Sequence, residues 1–175
     1  MAIIEHKKFD YKINMVNVKT PIYSISSKGD TFIAPSIGCK MFFESFNNEL
    51  FNTLADKEVN FVQDNQSYST KGVLRGLHYQ TGEHAQAKLV RVLQGEVLDV
   101  VVDLRPDSKT YGEYVSVLLS AENQKQLFIP RGFAHGFLTL EENSELIYLH
   151  DEYYNPEVES GINFKDPLIN FDIQP

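Results

Sequence analysis

The feature that most constrains this chain is a series of short β-branched runs in its second half. KLVRVLQGEVLDVVVDLR, YVSVLLS, QLFIP, GFLTL and ELIYLH follow one another at intervals of roughly ten residues, separated by turn residues. Runs this short, rich in Val, Ile and Leu, suit strands; helices need longer periodic stretches. The pattern predicts an all-β domain with few short helices, as a sandwich, jelly roll or barrel. NNELFNTL, from Asn47 to Leu54, has room for two helical turns. The two runs around Gln94-Gly95 read as a hairpin. The first 35 residues alternate loosely, as in INMVNVKTPIYSIS, and read as edge strands or an arm. No repeat, low-complexity tract or linker divides the chain. The expectation is a single domain over 1–175, with 1–30 as an N-terminal arm or edge strands.

Charge and composition narrow the function. The 24 acidic and 16 basic residues give a formal charge of −8, which disfavours nucleic acid as a partner. An anionic small ligand would need local positive charge. No run approaches the ~20 apolar residues of a membrane helix. No apolar segment follows the basic start, so no signal peptide is expected. The lone Cys39 has no intrachain partner for a disulfide. A cytoplasmic setting is expected.

Several polar residues fall inside the apolar runs. In KGVLRGLHYQ, Arg75 and His78 would face opposite sides of a regular strand. Gly76 between them permits a bulge that brings both to one pocket; the plain alternative is a surface Arg beside a core His. Alternation puts Lys88 on one face with Val90 and Val92, either at a wet strand end or in a polar cavity. Asp99 and Asp103 share a face with Val97 and Val101. A carboxylate there needs a partner. For Asp103 that is Arg105; for mid-strand Asp99 a buried His or Lys is expected. Tyr148 lies on a strand, and the Tyr153-Tyr154 pair beside Asn155-Pro156 offers rings for stacking on a flat ligand.

PRGFAHGF carries the Pro-x-Gly-x-x-His spacing of half a cupin signature, pointing His135 into a barrel. The other half would be Gly-x5-His-x-His-x3–4-Glu. Gly72 and His78 fit it, but Gln80 stands at the second His, and His84 and Ala85 stand at the Glu spacing. Two imidazoles are too few for a metal that wants three or more ligands, so no metal is expected.

Taken together, FFESF, NFVQDN, GVLRGLHYQ, AQAKLVRVLQGEVLDVVVDLR, SAENQKQLFIPRGFAHGF and the EYYNP loop resemble the dTDP-4-dehydrorhamnose 3,5-epimerase family. The resemblance runs from about Phe42 to Asp172. It implies a metal-free cupin jelly roll, without an organic cofactor. It also implies a homodimer acting on a nucleotide-linked 4-keto-6-deoxyhexose in deoxysugar (rhamnose-type) biosynthesis, its nucleotide being dTDP. By that resemblance His78 is the general base and Tyr148 the general acid. Lys88 and His135 line the enolate pocket, and Arg75 contacts the diphosphate; the net charge of −8 leads us to expect Lys40 or Arg91 to help it. Glu44, Gln63, Asn65 and Glu159 contact ligand, and Tyr154 stacks on the thymine.

Two departures stand out. The family's Asp-x-Arg-Gly before FFES is replaced by IGCK, with Cys39 at the Arg position and Lys40 beside it. The family's C-terminal Leu-Ser-x-Lys-Asp, whose Asp orients the base, lies beyond FDIQP. Asp99 is the expected stand-in as partner of His78. The alternatives are a related sugar-nucleotide cupin with altered chemistry, as a single-carbon epimerase or 3,4-ketoisomerase, or a silent sugar-nucleotide-binding module.

Overall fold

The computed structural model describes residues 2–5, 45–55, 57–167 and 169. Of the expected arm over 1–30 only residues 2–5 are described; the rest of it, with Cys39, Lys40 and Glu44, lies outside the described residues. The strands are β1 (Ala2–Glu5), β2 (Gln63–Ser69), β3 (Leu74–Gln80), β4 (Lys88–Gln94), β5 (Glu96–Asp103), β6 (Tyr114–Ser120), β7 (Lys125–Ile129), β8 (Phe133–Thr139), β9 (Ser144–His150) and β10 (Glu159–Gly161). They form two five-stranded sheets in the orders β1-β7-β4-β9-β2 and β10-β3-β8-β5-β6. Every pairing in them is antiparallel. This is a two-sheet jelly roll of the cupin type; the strand spacing predicted the all-β class, and the family resemblance the cupin jelly roll.

Strand alternation builds the layers. Val90, Val92, Leu127, Ile129 and Leu146 of the first sheet meet Val97, Val101, Leu119, Phe133 and Phe137 of the second in the central core. The alternate residues of β5 face outward, where Val100 and Val102 pack with Leu77, Ala134 and Ile169. Outside the first sheet, Leu89 and Phe128 are covered by the helix α1 (Asn48–Ala55). Asn47 starts that helix, its Oδ1 accepting the Leu50 N–H at 3.0 Å. Phe51 then packs edge-on against Phe128 with ring centroids 5.1 Å apart. No helix among the described residues is long and apolar enough to cross a membrane.

The hairpin reading at Gln94-Gly95 is corrected. β4 pairs with β7 and β9, whereas β5 pairs with β6 and β8. Gly95 alone separates the two strands, too little for the usual two-residue hairpin loop. It turns the chain from one sheet to the other at φ +75°, and a Cβ there would meet Ser144 Oγ at 2.4 Å. Both strands are apolar on both faces because each is central in its own sheet. Asp103 pairs with Arg105 as expected, and its carboxylate also accepts from Ser108 and Thr110.

Candidate active site

A close approach of two backbones shapes one wall of the site. Gly76 takes φ +99°, and a Cβ on it would lie 2.6 Å from the His135 carbonyl oxygen. No larger residue fits there. The β3–β8 register slips between Arg75 and His78. The bulge therefore turns Arg75 and His78 into the same cleft, while Leu77 between them is buried outside.

The cleft between the sheets has a volume of about 540 Å³. The second sheet lends it Arg75, His78 and His135; the first lends it Asn65, Ser67, Lys88, Tyr148 and His150. The catalytic candidates His78 and Tyr148 thus come from facing sheets, with Lys88 and His135 on the same cleft. Arg91 alternates to the outer face with Leu89 and is not part of the lining, which corrects its expected help to Arg75.

Tyr148 is half-buried, its hydroxyl 2.7 Å from Ser67 Oγ. Burial pushes its pKa up to about 12, against the opposing pull of the Ser67 hydrogen bond. The phenol therefore keeps its proton at any working pH. Burial lowers the Lys88 pKa, while the charges of Asp99 and Glu159 oppose the drop.

Asp99 does not reach for His78. Its Oδ2 lies 2.9 Å from His135 Nε2, with Asp99 wholly buried and His135 nearly so. This corrects the expected Asp99–His78 pair. Adjacent β5 and β8 set Val101 opposite His135, two residues along the same inward face from Asp99, so the nearest imidazole is His135. Burial raises the Asp99 pKa, and His135 and Lys88 pull it back. Its second oxygen, Oδ1, is buried without a hydrogen-bond partner.

His78 instead meets Glu159, whose Oε1 lies 3.4 Å from His78 Nδ1. The other oxygen, Oε2, accepts the Tyr154 hydroxyl at 2.6 Å. The Tyr154 N–H donates to Gln63 Oε1 at 3.1 Å, and Gln63 Nε2 donates to Asn65 Oδ1 at 2.9 Å. Gln80 fixes the same loop: its Nε2 donates to the carbonyls of His84 and Tyr153, and its Oε1 accepts the Asn155 N–H. The side chain at the second cupin His position is thus fully used in holding the tyrosine pair. No group of three His, Cys, Asp or Glu side chains suited to a metal occurs among the described residues.

Sequence reasoning missed Ser67 and His150. His150 follows Tyr148 by two residues, so alternation alone would have put it on the same face. Its Nδ1 is buried without a partner, and burial, then Lys88 and His135, lower its pKa to about 4. It stands in the cleft as a neutral imidazole.

The family model for dTDP-4-dehydrorhamnose 3,5-epimerase matches residues 38–175. The chain belongs to that family. The dTDP-4-dehydrorhamnose 3,5-epimerase of Salmonella typhimurium is 54% identical over 131 residues, covering 75% of this chain and 72% of the relative. The solved structure of the Elizabethkingia anophelis dTDP-4-dehydrorhamnose 3,5-epimerase aligns with TM-score 0.72 at 50% identity, covering 75% of this chain and 72% of that one. A Legionella pneumophila 3,5-epimerase in complex with dTDP-4-keto-L-rhamnose aligns with TM-score 0.73 at 50% identity, covering 75% and 69%.

Proposed function

We propose that this epimerase-family chain inverts C3 and C5 of a dTDP-linked 4-keto-6-deoxyhexose, in the making of a rhamnose-type sugar. The carrying observation is that an imidazole and a protonated phenol face one cleft from opposite sheets. The C4 ketone acidifies the protons on C3 and C5. His78 removes one, and the electron pair moves to the C4 oxygen as an enolate. Lys88 and His135 meet that negative charge, and Asp99 holds His135 in place from beneath. Tyr148 returns a proton from the opposite face, so the carbon inverts; the phenolate is then reprotonated from solvent and His78 gives up its proton. Such acid–base steps need a base and an acid of suited pKa and preorganised positive charge. They need no metal and no organic cofactor.

Arg75 supplies a fork for the diphosphate, its Nε now donating to Ser69 Oγ at 3.1 Å. Gln63 and Asn65 supply amides at the other end of β2, beside the loop of Tyr154, which is half-exposed and supplies a ring for the thymine. Glu44 belongs to the same reading by family resemblance. We read the protein as a cytoplasmic homodimer.

The test is solvent exchange. Incubated with dTDP-4-keto-6-deoxyglucose in D2O, the protein is expected to place deuterium at both C3 and C5, read by NMR. Binding of the sugar nucleotide without exchange at either carbon would replace this reading with that of a binding module.

A further inference from the structure

We infer that Glu159 is the positioning carboxylate of His78 and that Tyr154 shares it, so that one side chain joins the aromatic platform to the base. The inference deepens the epimerase reading and rests on it for the role of His78; the contact itself does not.

β10 pairs with β3, setting Glu159 opposite Gln80 and Gly161 opposite His78. Glu159 therefore lies diagonally across from His78 on the neighbouring strand, within reach of its ring. Gly161 allows the approach, since a Cβ there would stand 3.2 Å from the Leu77 carbonyl oxygen. At 3.4 Å the Glu159 Oε1 to His78 Nδ1 contact is an ion-pair distance, longer than a hydrogen bond. Catalytic contacts in free enzymes are often long and tighten with substrate bound. The buried carboxylate of the site, Asp99, is occupied by His135, which leaves the more exposed Glu159 to His78.

A neutral imidazole carries one N–H, and the partner of one nitrogen decides which nitrogen that is. A carboxylate at Nδ1 holds the proton there. The lone pair is then on Nε2, the nitrogen left to take a proton from carbon. The second Glu159 oxygen accepts the Tyr154 hydroxyl at 2.6 Å, and the Tyr154 backbone is held by Gln63. Glu159 is thus steadied by the residue proposed to stack on the nucleotide base. A ligand that orders Tyr154 orders Glu159 and, through it, His78.

The test is long-range 15N–1H NMR on the full chain, at a pH where His78 is neutral. Wild type is expected to show the Nδ1–H tautomer at His78. Glu159→Ala is expected to move His78 toward Nε2–H and to lower kcat by roughly tenfold or more, within the range that general-base catalysis contributes. Its affinity for dTDP, which has no sugar, is expected to fall through the lost Tyr154 contact, but by a smaller factor than kcat, while its circular dichroism matches wild type, a pattern that general unfolding would not give. Glu159→Asp is expected to recover part of both the tautomer and kcat. An unchanged tautomer in Glu159→Ala, or a wild type already in the Nε2–H form, would overturn the inference. If wild type and Glu159→Ala differ in tautomer while neither exchanges substrate protons, the epimerase reading fails and the Glu159–His78 contact stands.

Discussion

His135 Nε2 lies 2.9 Å from Asp99 Oδ2, at the floor of the cleft, with both side chains buried. The pair occupies Asp99 and leaves His78 to another partner. Taking one member away strands a buried polar or charged group, which typically costs about 3–5 kcal/mol. Asp99→Ala is therefore expected to lower unfolding stability by that order, measured by urea denaturation. The double variant with His135→Ala is expected to cost clearly less than the two single losses together, because the pair is coupled. Strict additivity would show that the contact contributes nothing.

His150 gives a pH signature. Its pKa is lowered to about 4 in the folded chain, by burial first, against an ordinary histidine value near 6.5. Between those values the unfolded chain binds the proton and the folded chain does not, so stability rises with pH across that window. The contribution is complete above pH ~6.5 and is lost as pH falls toward 4; a difference of this size corresponds to about 3 kcal/mol. In urea titrations from pH 4 to 7, His150→Gln is expected to flatten the stability gain relative to wild type. Parallel curves for the two proteins would contradict it.

In the proposed reaction Lys88 faces the enolate oxygen. Lys88→Met keeps the buried stem and removes the ammonium. Losing one such preorganised donor typically lowers kcat by about 10²–10³. The expected outcome is a loss of that order in kcat at saturating sugar nucleotide, with dTDP affinity by calorimetry nearly unchanged. An equal loss in both would move Lys88 from the chemistry to binding.

Most of the fold was legible in the sequence, because strand alternation and turn residues are local signals. The faces of β4 and β5 follow residue by residue from LVRVL and VLDVVVD. The error at Gly95 has a physical cause: adjacency in sequence does not say which edge a strand offers, and both strands are central. Gly76 left the bulge between Arg75 and His78 open as one of two readings, and the β3–β8 register decides it. The Asp99 partner was misjudged because a buried carboxylate announces that it needs a partner without naming which one. Choosing His135 over His78 required the β5–β8 register, a long-range pairing. Glu159 came from family resemblance as a ligand contact, and its closeness to His78 depends on the three-residue strand β10, too short to leave an alternation pattern.

The central claim is that the base and the acid act from opposite sheets. It is tested most directly by following deuterium uptake and product stereochemistry together, in D2O, for His78→Asn and Tyr148→Phe. His78→Asn is expected to show neither exchange nor inversion. Tyr148→Phe is expected to keep exchange on the His78 face while inversion falls by roughly 10²–10⁴, the usual loss on removing a general acid. Full deuterium uptake by His78→Asn would contradict the account.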